Sequence, residues 1–409
     1  MITQCDYDLL IVGGGMAGAS LACALGGQGL RIGVVESVPL PARDQPSYDE
    51  RPIALAFGTR RIFEGMGIWN DLAGRVTPIE RIHVSDRGHF GVTRLNCKDE
   101  GVEALGYVVD TRTVGAVLME RLAAMPSVDL LCPATVTAAA VEADAAYVTV
   151  ARAGETVRLT CRLVVAADGV SSTMRDLFGI PAVLRDYGQS AVTAQVTAQL
   201  PHEHVAYERF TEHGPLALLP MAEGRCGVVW TQPNERVDEV LAWDDKTFLA
   251  HLQDWFGFRL GRLDRVGARR AYPLVLMYVP HLVRPRVAVI GNAAHTLHPI
   301  AGQGYNLGLR DVAVLAEVLA QAAARGEDLG DIAVLQRYAE WRREDHRRVI
   351  TFTDGLVRLF SNSTPPLVLA RDLGMLVIDL VSPLKRLLAR QSMGLVGRLP
   401  RLARGLPLM

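Results

Sequence analysis

Three glycines near the amino terminus have the spacing that a phosphate-binding turn requires. Gly13, Gly15 and Gly18 follow a short apolar strand and open a predicted helix, residues 17–25. The first glycine permits a tight turn, the second lets the backbone approach a pyrophosphate, and the third lets the helix pack on the strand. Glu36, at the end of the next predicted strand, can accept hydrogen bonds from an unphosphorylated ribose such as that of FAD or NAD. The pattern predicts a dinucleotide site, against the alternative of a simple tight turn.

A second stretch, "AADGVSSTMR", also places a turn after a buried strand. Asp168 and Gly169 end the strand, while Ser172 and Arg175 begin a predicted helix. An N-capped helix would explain Asp168 and Ser172 locally. It would not explain why the stretch occurs together with the other glycine-containing turns, so we interpret it as a second part of the same site.

A third strand ends in "GNAAHTLHPIAGQGYNLG", at Gly291 and Asn292. The loop that follows brings the main chain close to a ligand through its glycines, and its predicted helix, residues 308–325, presents backbone N–H groups to an electron-rich ring. Because the carboxyl ends of parallel strands share one edge of a sheet, we expect the three turns to converge. The candidate binding residues of this loop are Gly291, Asn292, Pro299, Gly302, Gln303, Gly304 and Asn306.

Together these stretches resemble the aromatic-ring hydroxylase branch of the FAD-dependent monooxygenases. The second stretch matches the family's G-A-D-G-x-x-S-x-x-R pattern with Ala166 in place of the first glycine. The third matches G-D-A-A-H-x-x-x-P-x-x-G-Q-G-x-N-x-G-x-x-D with Asn292 in place of the aspartate. Asparagine at this place, and segments near both ends of the chain, resemble the ubiquinone-biosynthesis hydroxylases, in particular the 2-polyprenyl-6-methoxyphenol hydroxylase subgroup, over nearly the whole chain.

The resemblance implies a cofactor, a reaction and further site residues. FAD would be reduced by NADPH or NADH, react with molecular oxygen to a C4a-hydroperoxide, and hydroxylate the ring of a polyprenylated methoxyphenol. Arg51 would lie near the flavin ring and Arg112 near the phosphate and ribose, although a solvated surface role is the alternative for each arginine. The alternative functions are hydroxylation of another ring position or substrate, a prenyl-lipid reductase, and an FAD-holding scaffold subunit of a biosynthetic complex.

Histidines of the third loop are the candidates for proton chemistry. His298, with Pro299 beside the flavin, would either move a proton of the phenol or peroxide or fix the loop. His295 and His298 are three positions apart, but no third ligand is nearby in the sequence, so we expect no metal.

The order of patterns predicts an α/β protein with two interleaved domains. A Rossmann-like FAD-binding domain of the para-hydroxybenzoate hydroxylase fold comprises residues 1–75, 106–181 and 282–360, and an antiparallel-sheet substrate domain comprises 76–105 and 182–281. Residues 361–409 are predicted to form a helical, basic, amphipathic tail. Residues of the sheet domain that could line a substrate site, with a core position as the alternative for each, are Tyr187, Gln195, Phe210, Trp230 and Tyr272.

The composition of the chain limits which partners and which cellular compartment we expect. Lys plus Arg (43) nearly balances Asp plus Glu (44), which argues against nucleic acid. The six cysteines show no close pair, and neither a signal peptide nor a membrane span is recognised, so we expect a cytoplasmic protein with free thiols. Six basic residues and spaced leucines after residue 379 suit attachment to the inner face of the cytoplasmic membrane, or packing on the protein itself or on a ubiquinone-biosynthesis complex. The sequence leaves the oligomeric state open.

Overall fold

The computed structural model describes residues 5–39, 50–360 and 364–408. The predicted domain limits at residues 1, 361 and 409 lie outside the described residues. The strands in chain order are β1 (Tyr7–Val12), β2 (Ile32–Val35), β3 (Pro52–Ala56), β4 (Thr77–Ile79), β5 (Arg81–Asp86), β6 (Val92–Asn96), β7 (Gly106–Asp110), β8 (Val128–Leu131), β9 (Thr135–Val141), β10 (Ala146–Arg152), β11 (Glu155–Ala166), β12 (Val183–Ala198), β13 (Val205–Thr211), β14 (Gly214–Pro220), β15 (Arg225–Pro233), β16 (Leu263–Val266), β17 (Arg270–Tyr278), β18 (Val283–Arg284), β19 (Val287–Val289) and β20 (His295–Thr296).

Helices cover the strands and form the carboxyl-terminal part of the chain. In chain order they are α1 (Met16–Leu25), α2 (Phe57–Gly65), α3 (Trp69–Leu72), α4 (Cys97–Glu100), α5 (Thr111–Ala123), α6 (Thr173–Leu177), α7 (Val237–Ala242), α8 (Asp245–Phe256), α9 (Gln303–Ala324), α10 (Ile332–Phe360), α11 (Pro365–Leu380) and α12 (Ser382–Ser392). The helix predicted from residue 308 begins five residues earlier, at Gln303, so the glycine-rich loop itself supplies its first turn.

The first sheet has a parallel centre, in the order β19-β11-β1-β2-β8. Strands β9, β10 and β18 extend it in antiparallel fashion. The central strands are continuous apolar runs because both faces are covered, and Leu9, Leu10 and Ile11 are fully buried. The βαβ unit predicted at the amino terminus is present as β1, α1 and β2. The three glycine-containing turns follow β1, β11 and β19, at the carboxyl edge of this sheet.

The second sheet is antiparallel except at β13 and β5, in the order β20-β17-β12-β15-β14-β13-β5-β6. Successive side chains of a strand point to opposite faces. In β14, Leu216 and Leu218 pack with α8, whereas Ala217 and Leu219 face a cavity on the other side. Strand β20 joins this sheet from beyond the limit predicted at residue 281, and the domain limits stay a prediction.

The carboxyl-terminal leucines do not share one face as the sequence suggested. Helix α12 ends at Ser392, since Gly394 and Gly397 take positive φ angles of 70° and 93°. Leu387 is exposed, whereas Leu402 packs into the main core. The amphipathic row is thus shorter than predicted, and the residues after α12 are part of the folded body. Among the described residues, no helix combines the length and apolar character needed to cross a bilayer.

Candidate active site

The three glycine-containing turns lie against one another. Gly13 has φ +103°, and a Cβ there would overlap the carbonyl oxygen of Ala167 in the second turn. Gly291 has φ +60°, and a Cβ there would lie 2.6 Å from Cβ of Ala17, in the first turn of α1. Gly18 packs directly on Gly13. The glycines therefore allow three backbone segments, far apart in sequence, to meet at the sheet edge.

The first turn fits the adenosine and pyrophosphate parts of FAD. Glu36 is buried and accepts hydrogen bonds from the backbone N–H groups of Gly14, at 2.7 Å, and Val38, at 2.8 Å. Each carboxylate oxygen keeps a lone pair for a ribose hydroxyl. Gly15, which precedes α1, has no side chain that would block a phosphate. The first turn of α1 carries no charged side chain, so its free N–H groups and the positive end of the helix dipole are available to the pyrophosphate.

The two arginines assigned through the resemblance lie in different environments. The guanidinium of Arg51 stacks on the ring of Tyr272, with 4.3 Å between Cζ and the ring centroid. Arg112 is exposed on α5 and pairs with Glu50, with 3.2 Å between Nη1 and Oε1. Their contacts with the cofactor stay predictions.

The second turn is fixed by its own side chains. Asp168 accepts hydrogen bonds from the Ser172 hydroxyl, at 2.5 Å, and the Met174 N–H, at 3.0 Å, and its burial raises the pKa of the carboxyl. Arg175 donates to the carbonyl of Ala293 at 2.7 Å and so joins the second turn to the third. Gly169, with φ +87°, leaves open space beside it. Ser172 caps α6 and Asp168 accepts hydrogen bonds within the turn, while Arg175 connects the two turns; contacts of Asp168 and Gly169 with the cofactor stay predictions.

Asn306 holds the third turn in place through four hydrogen bonds. Its Oδ1 accepts from the Ala56 N–H at 2.8 Å and the Thr59 hydroxyl at 2.6 Å. Its Nδ2 donates to the carbonyls of Ala54, at 2.8 Å, and Gly302, at 2.6 Å. These bonds use the whole capacity of the amide, so the side chain positions β3 against the start of α9. The sequence had suggested a cofactor contact, which stays a prediction.

The remaining residues of the loop differ in what they offer a ligand. Gly304 has open space around it, and Pro299, Gly302 and Gly304 line the cavity. Gln303 donates to the carbonyl of Ser392 at 3.3 Å, and its buried Oε1 has no hydrogen-bond partner among the described residues. Asn292 is exposed at the edge of the loop. The loop therefore offers open backbone at Gly304, and the contacts of its residues with a flavin ring stay predictions.

His298 lies behind the wall of the cavity described below, not among its lining residues. It is fully buried against Tyr187, with 5.3 Å between the ring centroids. Neither ring nitrogen has a hydrogen-bond partner in the described part of the chain. Burial lowers the pKa of His298 to about 4, so the ring is neutral near pH 7. These contacts favour the alternative of a structural histidine, and the catalytic role of His298 stays a prediction.

His295 belongs to a buried polar network that the sequence did not reveal. Asp311 accepts from Nε2 of His295 and from Nε2 of His346, each at 2.7 Å, and from Nε of Arg342 at 2.5 Å. His295, Asp311 and His346 thus have three ligand-type atoms within 4.8 Å of one another, although the spacing showed no third ligand. Because the Arg342 guanidinium already neutralises the carboxylate, we interpret the group as a buried ion pair rather than a metal site.

An apolar cavity of about 620 Å³ opens where this loop meets the second sheet. Its walls come from β3, β13, β14, residues 299–306 and helices α10 to α12. Phe210 lines the cavity, as the sequence allowed. Trp230 is 1% exposed and belongs to the core on the other face of the sheet, which was the alternative to a lining position. Glu208 is an acid in the cavity wall that sequence reasoning missed.

Fold, turns and cavity together define a flavin-dependent enzyme. A model of the family described as "FAD binding domain" matches residues 6–353. The chain belongs to this family.

Curated relatives cover almost the whole chain. A ubiquinone hydroxylase, UbiL, from Rhodospirillum rubrum is 40% identical, with 98% of this chain and 93% of the relative covered. The 3-demethoxyubiquinol 3-hydroxylase of Escherichia coli is 31% identical, with 96% and 100% covered. Among solved structures, p-nitrophenol 4-monooxygenase PnpA from Pseudomonas putida has a TM-score of 0.80 at 20% identity, covering 96% of this chain and 98% of that chain. The last likeness shows the fold. The predicted family resemblance, fold class, FAD cofactor and enzyme class, an FAD-dependent aromatic monooxygenase, are confirmed.

Proposed function

We propose that the protein hydroxylates the aromatic ring of a polyprenylated methoxyphenol in ubiquinone biosynthesis. The observation that carries the proposal is the apolar cavity that ends at the loop of residues 299–306. Relatives named as ubiquinone hydroxylases support the pathway. A phenol ring can enter beside the loop while a long isoprenoid chain lies along the apolar walls, where its burial is favourable.

The residues of the chain orient the ring and exclude water. When bound, FAD supplies the activated oxygen, with molecular oxygen as co-substrate and NADPH or NADH as the electron donor. Phe210 stacks on Phe360 of α10, with ring centroids 3.5 Å apart and an interplanar angle of 13°. Both rings line the cavity, so this pair contributes an apolar wall that would help to exclude water from the reacting ring.

We further propose that helices α11 and α12 bring the cavity to an anionic membrane surface, the inner face of the cytoplasmic membrane. Their outward side exposes a row of apolar residues: Leu369, Leu373, Val377, Leu380, Val381, Leu384 and Leu387. Leu380 is 79% exposed, while Ile378 and Leu388 of the same helices line the cavity. The exposed basic residues Arg386 and Arg390 beside this row suit anionic head groups.

The pathway assignment is tested by mass spectrometry of lipid extracts from cells without the protein and from cells to which it is returned. We expect a prenylated phenol one oxygen short of the next intermediate to accumulate and then to disappear on restoration. The position and number of oxygens in the product separate another ring position or a reductase from our proposal. Unchanged ubiquinone and no such intermediate would contradict it.

The scaffold alternative is tested with Gly15→Val. A side chain at this turn occupies the space of the pyrophosphate, so the folded variant should lack FAD. If this variant restores the product, the protein acts as a scaffold; if it does not, the cofactor is required for function.

Membrane attachment is tested by sedimentation with phosphatidylcholine vesicles, with and without phosphatidylglycerol. We expect the protein to sediment with the anionic vesicles and a variant with Leu380→Gln and Leu387→Gln to remain in the supernatant. Phe258→Gln, which changes a 70% exposed apolar residue after α8, is the control. Equal sedimentation of the double variant and the control would contradict the attachment surface.

A further inference from the structure

Glu208 is an acid in an otherwise apolar part of the cavity wall. It lies on β13 between Ala206 and Phe210, and all three line the cavity. Its neighbours across the sheet are Val84 on β5 and Ala217 on β14, which line the cavity as well. A carboxyl group in such a place costs stability because it loses hydration, so its position calls for a function.

The carboxyl group of Glu208 is directed at the glycine-rich loop of residues 299–306. Its Oε1 accepts a hydrogen bond from the N–H of Ala301 at 3.3 Å, a long bond that leaves acceptor capacity free. Ala301 has φ +55° and lies between Pro299 and Gly304, residues of the loop that also line the cavity. Glu208 therefore lies at the end of the cavity where the substrate ring meets this loop.

The other ionisable groups of the cavity are engaged elsewhere or keep a proton. Among the described lining residues these are Tyr207 on β13, Tyr305 on α9 and Arg371 on α11. Arg371 forms an ion pair with Asp86, with 2.6 Å between Nη2 and Oδ2. Burial raises the pKa of both tyrosines. Burial also raises the pKa of Glu208 to about 7, because the Ala301 N–H compensates only part of the lost hydration.

We propose that Glu208 is a catalytic base of the hydroxylation, binding the phenolic hydroxyl of the substrate and taking its proton as oxygen is transferred. The phenolic O–H bond breaks and an O–H bond to the carboxylate forms. The electron pair left on the phenolic oxygen moves into the ring, which makes the ortho and para carbons more nucleophilic toward the activated oxygen. The attacking ring carbon takes the outer oxygen atom as the O–O bond breaks, and the hydrogen of that carbon moves to the phenolic oxygen, which restores the aromatic ring. Glu208 gives its proton to the oxygen atom left behind, which departs as water. A base that titrates near the working pH is well suited to this transfer.

This inference rests on the proposed function, and a single-turnover assay of the holoenzyme tests both. The bound FAD is photoreduced, mixed with oxygenated buffer and a prenylated methoxyphenol in detergent micelles, and the product is quantified by mass spectrometry. We expect the wild-type rate to fall as the pH falls through about 7, where Glu208 becomes protonated. Glu208→Gln should lower the rate about 100-fold and remove this pH dependence, while Glu208→Asp should restore part of the rate.

The control is Glu212→Gln, which changes an exposed carboxylate just after β13 and should behave like the wild type. Flavin content and melting temperature of each variant show whether the fold is intact. No hydroxylated product from the wild type would contradict the proposed function. A wild type that hydroxylates, together with an unchanged rate and pH profile of Glu208→Gln, would overturn the role of Glu208 alone.

A binding measurement keeps the inference testable if Glu208→Gln does not retain FAD. A methoxyphenol without a prenyl chain, which stays protonated in solution well above pH 7, is titrated into the wild-type holoenzyme above and below pH 7. We expect tighter binding above pH 7, where the ionised Glu208 accepts the hydrogen bond of the phenolic hydroxyl. The same affinity at both pH values would overturn the proposal.

Discussion

Gly18 of α1 packs on Gly13 so closely that a Cβ at Gly18 would overlap the carbonyl oxygen of Gly13. We therefore expect Gly18→Ala to push α1 away from β1, with a loss of about 1–3 kcal/mol in the free energy of unfolding and a lower FAD content. Gly27→Ala is the control, because a Cβ at Gly27 meets nothing within 4 Å. Thermal unfolding and flavin absorbance measure both effects, and a Gly18→Ala protein with normal stability and flavin would contradict this contact.

Asn306→Leu should detach β3 from the start of α9. The change leaves the N–H of Ala56, the hydroxyl of Thr59 and two carbonyls without their partner. Each unsatisfied buried group costs about 1–3 kcal/mol, so we expect one of the larger losses of stability for a single substitution. Asn70→Leu, at an exposed position of α3, is the control. Denaturant titration gives the two free energies, and similar values would show that these four bonds contribute little.

Asp311→Asn should destabilise the protein by about 3–5 kcal/mol, since it breaks a fully buried ion pair and leaves Asp345 as the remaining acidic partner of the Arg342 guanidinium. His346, the Arg342 guanidinium and His295 together hold the pKa of Asp311 well below its usual range, despite its burial. Glu340→Gln removes an exposed carboxylate from the same helix as Arg342 and should have little effect. Denaturant titration near pH 7 gives the free energy of unfolding of the wild type and of both variants. Added zinc should leave the stability of the wild type unchanged, whereas a zinc-dependent increase in wild-type stability would favour a metal site over the ion pair.

His298→Leu should weaken the dependence of stability on pH in the acidic range. Burial lowers the pKa of His298 from 6.5 to about 4, so between these values the unfolded chain binds a proton that the folded chain does not. The folded state thus loses up to about 3 kcal/mol as the pH falls through this window. The variant should lose this slope, apart from what His83 and His346 contribute, because their pKa values are also lowered by burial.

The control is His281→Leu, at an exposed position, which should keep the wild-type dependence. Melting temperatures measured from neutral pH down to about pH 4 make the comparison. Parallel curves for the wild type and His298→Leu would show that His298 is protonated in the folded protein.

Glycine positions were the most predictable part of the site. Gly13 and Gly291 have positive φ angles, which few residues other than glycine adopt. The glycines in the sequence therefore indicate where these turns lie. The apolar runs around these turns predicted the parallel strands for the same reason, since a strand buried on both faces must be apolar throughout.

Long-range partners could not be predicted in this way. Asp311 meets His346 thirty-five positions later, and the register of two packed helices decides that contact. The sequence did contain a signal for Glu208, because it interrupts the apolar alternation of Ala206 and Phe210. Whether Leu402 is buried depends on where α12 ends, which the sequence did not show. The cavity could not be predicted either, because its walls come from elements that are far apart in the chain.

The order of strands in the first sheet has a consequence for the synthesis of the protein. β1 precedes its neighbours in the chain, yet it lies between β2 and β11, and β11 in turn pairs with β19 at its other edge. While the chain is growing on the ribosome, this apolar edge of β11 stays open until residues 287–289 have left the exit tunnel. The third turn follows directly, so a growing chain can enclose its flavin only after that turn has emerged, and until then the open edge favours aggregation.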